Sequence, residues 1–242
     1  MRGKYMKAII LAAGKGNRLS SVTKGLPKCM ININGQSLIH NQICSYRYFG
    51  IEQFVFVLGY KKDMIQEHIL EILPPEMATF ITNPYYETTN TLYSLWLTNE
   101  LFDEDFIYFN ADVMFEKELL GKIVSPSEYS QLLLDEKSCQ DEEVKMILDD
   151  QNRILQIGKK LDIAQCAGEF IGIGKFNREV LPQFRDALQY GVENNEKNNY
   201  FEYAVDILCR EVVLTAVPTD NYRCIEIDFP EDLEKAKQIF GH

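Results

Sequence analysis

Four basic side chains follow a short apolar segment near the start of the chain. Residues 8–13 are apolar, glycines occupy positions 14 and 16, and the cations that come with them are Lys15, Arg18, Lys24 and Lys28. A buried strand that ends in a glycine-containing, cationic loop lets backbone N–H groups and side chains surround a polyphosphate. The alternative is a tight turn closed by glycines, with solvated lysines. The loop is therefore the first candidate for a binding site.

Two common phosphate-binding motifs are absent from this loop. The dinucleotide motif G-x-G-x-x-G would need a glycine in place of Leu19, and G-x-x-x-x-G-K-[ST] has no match. The motif that is present, LAAGKGNRL, is followed by Pro27-Lys28, nine residues after Arg18. It resembles the signature of the nucleotidylyltransferases that activate sugar phosphates and alcohol phosphates.

This resemblance implies a role for each residue of the loop. Arg18 and Lys15 would hold the β and γ phosphates of a nucleoside triphosphate, and Lys28 would contact the α-phosphate or the phosphate of the acceptor. The residues that the resemblance places at the nucleotide are Leu11, Ala12, Ala13, Gly14, Lys15, Gly16 and Asn83. The catalytic residues that it implies are Lys28, Arg18 and Asp112.

The charge of the chain is unevenly distributed. The whole chain has 25 Lys+Arg and 36 Asp+Glu, a net charge of -11, yet residues 1–51 contain eight bases and no acid. The other 191 residues therefore carry 17 bases and 36 acids, a net charge of -19. A positive loop on an acidic body favours a small polyanion and repels nucleic acid, so we expect a nucleoside triphosphate and no nucleic acid as partners.

Length and composition indicate one α/β domain. A chain of 242 residues with 46% apolar residues can bury a large core, and no apolar run approaches the roughly 18 residues that span a bilayer. Six cysteines form no C-x-x-C pair, and the three histidines are far apart, which argues against a zinc site. We expect a cytoplasmic protein with reduced cysteines and no membrane partner, and a homo-oligomer is possible.

Apolar strands alternate with amphipathic helices in the first half of the chain. The predicted strands are 8–13, 53–58, 78–82 and 105–110, and the predicted helices are 37–49, 61–73 and 89–101. This alternation is typical of a parallel sheet with right-handed crossovers and helices on both faces.

The second half of the chain has a different pattern. The predicted strands are 130–134, 169–173, 212–217 and 223–227, and 144–148 pairs with 154–157 in an antiparallel hairpin. The predicted helices are 117–124, 178–190, 200–211 and one that starts at Pro230. Between the second and third helices, we expect residues 191–199 to form a mobile loop. The resemblance implies a three-layer, mainly parallel mixed sheet of the Rossmann-like nucleotide-diphospho-sugar transferase type, with a small β appendage. We expect residues 1–242 to form one domain, with a nucleotide-binding half (about 6–115) and an acceptor-binding, metal-completing half (about 116–242).

Two aspartates are candidate metal ligands. Asp112 follows the apolar strand FIYFN, and Asp228 lies in the segment RCIEIDF, where Glu226 and Asp228 project from the same side of a strand. In the family that the chain resembles, aspartates at these two positions hold Mg²⁺ on the triphosphate. The alternatives are helix-capping roles for both. Asn110 replaces a second aspartate of many relatives, which weakens any two-metal hypothesis.

The acceptor site is less well defined by the sequence. The resemblance implies Asn90, Lys160 and Glu169 as acceptor-binding residues, and the chemistry of the following segments adds Glu202 and Tyr203. Residues 85–87 (Tyr-Tyr-Glu) and 200–203 (Tyr-Phe-Glu-Tyr) combine aromatic rings with carboxylates, as a pocket for an ammonium group would. The alternative is that the aromatic residues of these two segments are ordinary core or interface residues. For Asn90, the alternative is that it only caps the N-terminus of a helix.

The predicted reaction is the transfer of a nucleotidyl group, with CTP favoured, to a small phosphorylated or phosphonate acceptor, with Mg²⁺ as cofactor and pyrophosphate as the second product. Within the family, the chain looks most like cytidylyltransferases for phosphocholine or 2-aminoethylphosphonate. The alternatives are a sugar-1-phosphate nucleotidylyltransferase acting on a neutral sugar or inositol phosphate, a glycosyltransferase on the same fold, and an inactive regulator. The last two would not need Arg18, Lys28, Asp112 and Asp228 together.

Overall fold

A nine-stranded mixed sheet forms the centre of the computed structural model, which describes residues 6–241. The strands in chain order are β1 (Lys7–Ala12), β2 (Asn32–Ile33), β3 (Gln36–Ser37), β4 (Gln53–Leu58), β5 (Ala78–Thr82), β6 (Phe106–Asn110), β7 (Val113–Phe115), β8 (Ser130–Asp135), β9 (Lys145–Leu148), β10 (Ile154–Gly158), β11 (Gly168–Phe176), β12 (Leu214–Pro218) and β13 (Cys224–Glu226). The helices are α1 (Ser20–Thr23), α2 (Leu38–Tyr48), α3 (Lys62–Leu70), α4 (Thr91–Trp96), α5 (Gly121–Val124), α6 (Leu181–Glu193), α7 (Glu202–Leu208) and α8 (Pro230–Phe240).

The sheet has a parallel half and a mixed half. Strands run in the order β10-β9-β11-β6-β1-β4-β5, and β8 pairs with β11 and β12. The ladders β6–β1, β1–β4 and β4–β5 are parallel, whereas β11 runs antiparallel to β6, β8 and β9. The predicted three-layer α/β fold with a mixed sheet is confirmed. The predicted hairpin of β9 and β10 extends this sheet rather than standing apart from it.

Alternating side chains of β1 divide the core into two layers. Ala8 and Ile10 face α2 and α3, whereas Ile9 and Leu11 face α4, α6 and α7. All four are buried, and each fully buried branched aliphatic side chain contributes about 1.5–3 kcal/mol relative to an exposed one. Because both faces of β1 are covered, its carboxyl end at Ala12 is held rigidly, and the loop that follows it starts from a fixed point.

Several predicted elements have different boundaries in the structure. The helix predicted at 89–101 is split into α4 and a 3-10 turn, Asn99–Leu101, and the helix predicted at 200–211 is the shorter α7. The strand predicted at 169–173 continues through Phe176 because it pairs with β6 along that stretch. The segment 191–199, predicted to be a mobile loop, is tied to α4, since its carbonyls at Lys197 and Asn199 accept hydrogen bonds from that helix's N-terminal backbone.

Two short strand pairs were not predicted. Strands β2 and β3 form a hairpin around Asn34-Gly35, which have φ angles of 53° and 86°. An Asn-Gly pair is a strong hairpin signal, so this element was readable from the sequence. Strand β7 pairs with β13, more than 100 residues later in the chain, and this pairing has no local signal. Within residues 6–241, no helix combines the length and apolarity needed to cross a lipid bilayer.

Candidate active site

A cavity of about 870 Å³ opens beyond the carboxyl ends of β1 and β6. Ligands of open α/β sheets bind at this edge. The predicted site residues that line it are Leu11, Ala12, Ala13, Gly14, Gly16, Arg18, Lys28, Asn83, Asn90, Asp112, Glu169, Glu202 and Asp228. Tertiary structure therefore brings together in one cavity most of the residues that the sequence pointed to.

The loop after β1 folds closely over Lys28. Gly16 has a φ of 62°, a left-handed conformation that favours glycine. A Cβ atom at this position would lie 3.1 Å from Cβ of Lys28. The glycine thus lets the stem of Lys28 pass directly beneath the loop, and the ammonium reaches the cavity floor.

The ammonium of Lys28 lies between two carboxylates. Its Nζ atom is 2.7 Å from Oδ2 of Asp112 and 2.5 Å from Oδ1 of Asp228. Burial opposes the charged form of Lys28, but the two carboxylates outweigh this effect and hold the pKa of the ammonium above its usual value. Burial alone would raise the pKa of Asp228, yet the ammonium of Lys28 keeps it below its ordinary value. The three side chains form one charged network.

Backbone pairing brings the two aspartates together. Asp112 links β6 to β7, and β7 pairs with β13, with Val113 opposite Glu226. The N–H of Ile227 donates to the carbonyl of Asp112 at 3.0 Å. Asp112 thus precedes a strand and caps no helix. The capping alternative is also wrong for Asp228, because Phe229 occupies the N-cap position of α8 and the carboxylate of Asp232 accepts the N–H groups of Asp228 and Phe229.

Glu226 completes a cluster of carboxyl groups. Oxygen atoms of Asp112, Glu226 and Asp228 all lie within 4.8 Å of one another. Burial raises the pKa of Glu226 well above its usual range, and the carboxylates of Asp112 and Asp228 raise it further. Sequence reasoning did not place Glu226 at the metal, although its position two residues before Asp228 on a strand was the available signal.

The three carboxyl groups fit a hard divalent cation. Oxygen ligands are those that Mg²⁺ prefers, and a cation would relieve the repulsion among three neighbouring carboxylates. The Oδ1 atom of Asp112 is buried without a hydrogen-bond partner among the described residues, so it is free to bind a cation. The ammonium of Lys28 already bridges two of the three groups, which shows that the position attracts positive charge.

Asn83 and Asn90 shape the cavity edge through hydrogen bonds within the protein. The amide nitrogen of Asn83 donates to Thr89 and Ser94 at 3.0 Å each, and its oxygen accepts the N–H of Tyr85. The side chain of Asn90 accepts the N–H of the next residue and caps α4, so the predicted capping role is confirmed. Both residues line the cavity, although Asn83 is itself buried.

The far wall of the cavity carries five acids and two lysines, namely Asp135, Glu142, Glu143, Glu169 and Glu202 with Lys137 and Lys159. Nζ of Lys137 lies 2.7 Å from Glu169, 3.0 Å from Glu143 and 3.8 Å from Asp135. Burial raises the pKa of Glu169, although Lys137 opposes this shift. Nζ of Lys159 lies 4.3 Å from the centre of the Tyr200 ring, an attractive cation–π distance.

Glu202 is a buried carboxyl group that lines this wall. Only 4% of the residue is exposed, and its Oε2 atom has no hydrogen-bond partner among the described residues. Burial raises the pKa of Glu202 to about 7, against a smaller opposing effect of Lys159. An unpartnered buried oxygen in a cavity is a group that a ligand can satisfy.

Three predicted site residues lie outside the cavity. Lys15 is exposed and forms an ion pair with Glu87, so neither residue faces the interior. Lys160 is exposed in the turn after β10, and the neighbouring Lys159 lines the cavity instead. Tyr203 follows Glu202 on α7, and the helical rotation of about 100° per residue directs it toward the core on the other side. The cavity lining does not include these three residues, so their assignments stay predictions that the structure does not support.

The chain matches known proteins over most of its length. A family model described as nucleotidyl transferase matches residues 7–142. A CTP:phosphoglutamine cytidylyltransferase of Campylobacter jejuni subsp. jejuni is 26% identical over 95% of this chain and 98% of that protein. A bifunctional IPC transferase and DIPP synthase of Aquifex aeolicus is 29% identical over 96% of this chain and 51% of its own length. The solved structure of the inositol-1-phosphate CTP transferase from T. maritima has the same fold, with a TM-score of 0.82 at 23% identity, covering 100% of this chain and 97% of that one.

Replacement of Lys28 should increase the affinity of the nucleotide-free protein for divalent cations. The ammonium competes for the oxygens of Asp112 and Asp228, so we expect Lys28→Met to lower the Kd for Mg²⁺ by about tenfold or more, since removing one positive charge at this distance is worth more than about 1.4 kcal/mol. Isothermal titration of Mg²⁺ without nucleotide measures this. Lys24→Met, at an exposed position of the same loop, is the matched control. Unchanged or weaker binding to Lys28→Met would contradict the competition.

Replacement of Glu202 should stabilise the ligand-free protein at alkaline pH. Because the folded-state pKa of about 7 lies above the ordinary value of 4.5, the wild type loses stability as pH rises between these values. We therefore expect Glu202→Gln to exceed the wild type by about 3 kcal/mol in the free energy of unfolding at pH 8.5, with little difference at pH 4.5. Urea denaturation at both pH values measures this, with the exposed Glu211→Gln as control. If Glu202→Gln raised the free energy of unfolding equally at both pH values, the destabilisation of the wild type would not come from ionisation of Glu202.

Proposed function

The chain belongs to the nucleotidyl transferase family, and from that premise we propose that it transfers a nucleotidyl group from CTP to a small phosphorylated or phosphonate acceptor. The observation that carries this proposal is the meeting of the cationic loop after β1 with the carboxylates of Asp112, Glu226 and Asp228 in one cavity. The names of the Campylobacter jejuni relative and of the T. maritima structure both include CTP, and the former, at 26% identity, supports the choice of nucleotide.

In the proposed reaction, a phosphate or phosphonate oxygen of the acceptor attacks the α-phosphorus of CTP. The bond from that phosphorus to the oxygen bridging the α and β phosphates breaks, and pyrophosphate leaves with the electron pair. The acceptor oxygen is already ionised at neutral pH, so the protein needs no general base. Its contribution is alignment and charge stabilisation.

The loop after β1 is suited to hold the triphosphate. Gly14 and Gly16 leave the backbone N–H groups accessible, and the half-exposed guanidinium of Arg18 lies 3.4 Å from Asp228, next to the cluster. Lys28 reaches the cavity floor from the same loop and can contact the α-phosphate or the phosphate of the acceptor. We assign residues 6–115 to nucleotide binding and residues 116–242 to acceptor binding and completion of the metal site, since these segments supply facing walls of the cavity.

Mg²⁺ is the cofactor that the cluster fits. Asp112 and Asp228 would hold it, with Glu226 as the third carboxylate within reach. When bound, Mg²⁺ neutralises charge on the triphosphate oxygens and thereby eases attack by an anionic acceptor.

An acceptor with an ammonium group is favoured by the charges of the far wall. Asp135, Glu143 and Glu169 surround a single ammonium, that of Lys137, which leaves a charge of about -2 when all three acids are ionised. Glu202 presents an unpartnered buried oxygen to the same cavity. Tyr86 and Tyr200 also line it, and aromatic rings attract ammonium groups. A neutral sugar or polyol phosphate would leave these charges unpaired.

Loss of a metal-binding carboxylate should impair turnover. We expect Asp112→Asn or Asp228→Asn to reduce kcat by about a hundredfold or more at limiting Mg²⁺, the magnitude for losing one preorganised electrostatic contact. Pyrophosphate release over a range of Mg²⁺ concentrations measures this, and the exposed Asp150→Asn is the control. Normal rates in both variants at limiting Mg²⁺ would rule out this assignment of the metal ligands.

The acceptor class can be determined by a substrate screen. We expect pyrophosphate release to be fastest when CTP, among the four nucleoside triphosphates, is combined with phosphocholine or 2-aminoethylphosphonate rather than inositol phosphate or glucose-1-phosphate. Glu202→Gln should lower kcat/KM for the amine acceptor by about tenfold or more, because a charge-assisted contact is worth more than about 1.5 kcal/mol. Preference for a polyol phosphate would overturn the ammonium assignment but not nucleotidyl transfer. No pyrophosphate release from any pair would overturn the transfer itself.

A further inference from the structure

Lys145, the first residue of β9, has a buried ammonium group held by backbone oxygens. The residue is 1% exposed, and its Nζ atom donates to the carbonyls of Asp141 at 3.0 Å, Glu143 at 3.2 Å and Lys159 at 2.6 Å. Its cross-strand neighbour Glu169 forms an ion pair with Lys137 instead. The charge of Lys145 is therefore compensated by three dipoles that converge on it.

A lysine ammonium suits this arrangement. It has three donors on a compact head, and three carbonyl oxygens satisfy them. Burying a charged group is costly unless its hydrogen bonds are made, so the position tolerates a lysine only while all three carbonyls stay in place. The ammonium and the three carbonyls thus hold one another in a fixed geometry.

The three carbonyls belong to two separate segments of the far wall of the cavity. Asp141 and Glu143 lie in the segment 136–144, which joins β8 to β9 and which we call the acceptor wall. Four of its side chains line the cavity in addition to Val144, namely Lys137, Gln140, Glu142 and Glu143. The third carbonyl is that of Lys159, whose own side chain lines the cavity over Tyr200. One ammonium therefore joins the acceptor wall to the end of β10.

We propose that Lys145 is a positioning residue that fixes the acceptor wall relative to Lys159, and so sets the distance between the groups that bind the acceptor. The proposal rests on the assignment of this part of the cavity to the acceptor. Lys145 does not itself line the cavity among the residues described, so it acts through Lys137, Glu143 and Lys159 rather than by touching the substrate.

The test compares Lys145→Met with Lys175→Met. Lys175 is a matched control because it is 2% exposed, lies in the same sheet, donates to the carbonyl of Ser125 at 2.9 Å and does not line the cavity. We expect amide hydrogen exchange in residues 136–144 and 159–166 to become at least tenfold faster in Lys145→Met and to stay unchanged in Lys175→Met. With CTP and phosphocholine, KM for phosphocholine should rise at least tenfold in Lys145→Met, while KM for CTP should change less than threefold.

Lys145→Arg keeps the test decisive if Lys145→Met does not fold. Its planar guanidinium cannot direct three donors to three converging carbonyls, so we expect the same selective rise in KM for phosphocholine, at least threefold. Unchanged exchange in the acceptor wall, or equal changes in both KM values, would overturn the proposal. Turnover absent already in the wild type would count against the proposed function, and the exchange measurement would still decide the role of Lys145.

Discussion

The ion pairs of Lys28 with Asp112 and Asp228 are the interaction on which the candidate site depends. Each of the three residues comes from a different part of the chain. The carboxyl groups of Asp112, Glu226 and Asp228 repel one another when ionised, so a positive charge among them is needed to hold them this close. The loop after β1 supplies the charge, the turn between β6 and β7 supplies one carboxylate, and the segment after β13 supplies the other. The cationic loop and the acidic cluster thus form one electrostatic unit. A complex of a metal cation with a triphosphate also combines positive and negative charge, so its cation can pair with the cluster and its phosphates with the loop.

The sheet provides the rigidity that this unit needs. Strands β1 and β6 are paired over five residue positions and are buried on both faces, so their carboxyl ends are fixed with respect to each other. The pairing of β7 with β13 then carries Asp228 to Asp112. Loops on such a rigid scaffold can hold charged groups close together because movement of any one strand would disrupt both core layers.

Lysines organise both ends of the cavity by similar means. Lys28 is surrounded by carboxylates at one end of the cavity, Lys137 by carboxylates at the other end, and Lys145 by carbonyls behind Lys137. In each case an ammonium joins two or more segments of the chain, and for Lys28 the two partners lie 84 and 200 residues away. Glu202 is different, because its buried Oε2 atom has no hydrogen-bond partner among the described residues and can be satisfied by a ligand.

The sequence by itself determined the fold class, most of the regular elements, the phosphate loop and the two metal-binding aspartates as candidates. These features have local signals: apolar periodicity, glycines beside lysines, and acids at strand ends. Only the tertiary structure decided which of two adjacent residues lines the cavity: Lys159 rather than Lys160, and Glu202 rather than Tyr203. It also revealed Glu226 in the cluster and Lys145 behind the acceptor wall. The reason is that side-chain direction at an element's end depends on long-range pairing, and a buried charge is recognisable only once its partners are in place.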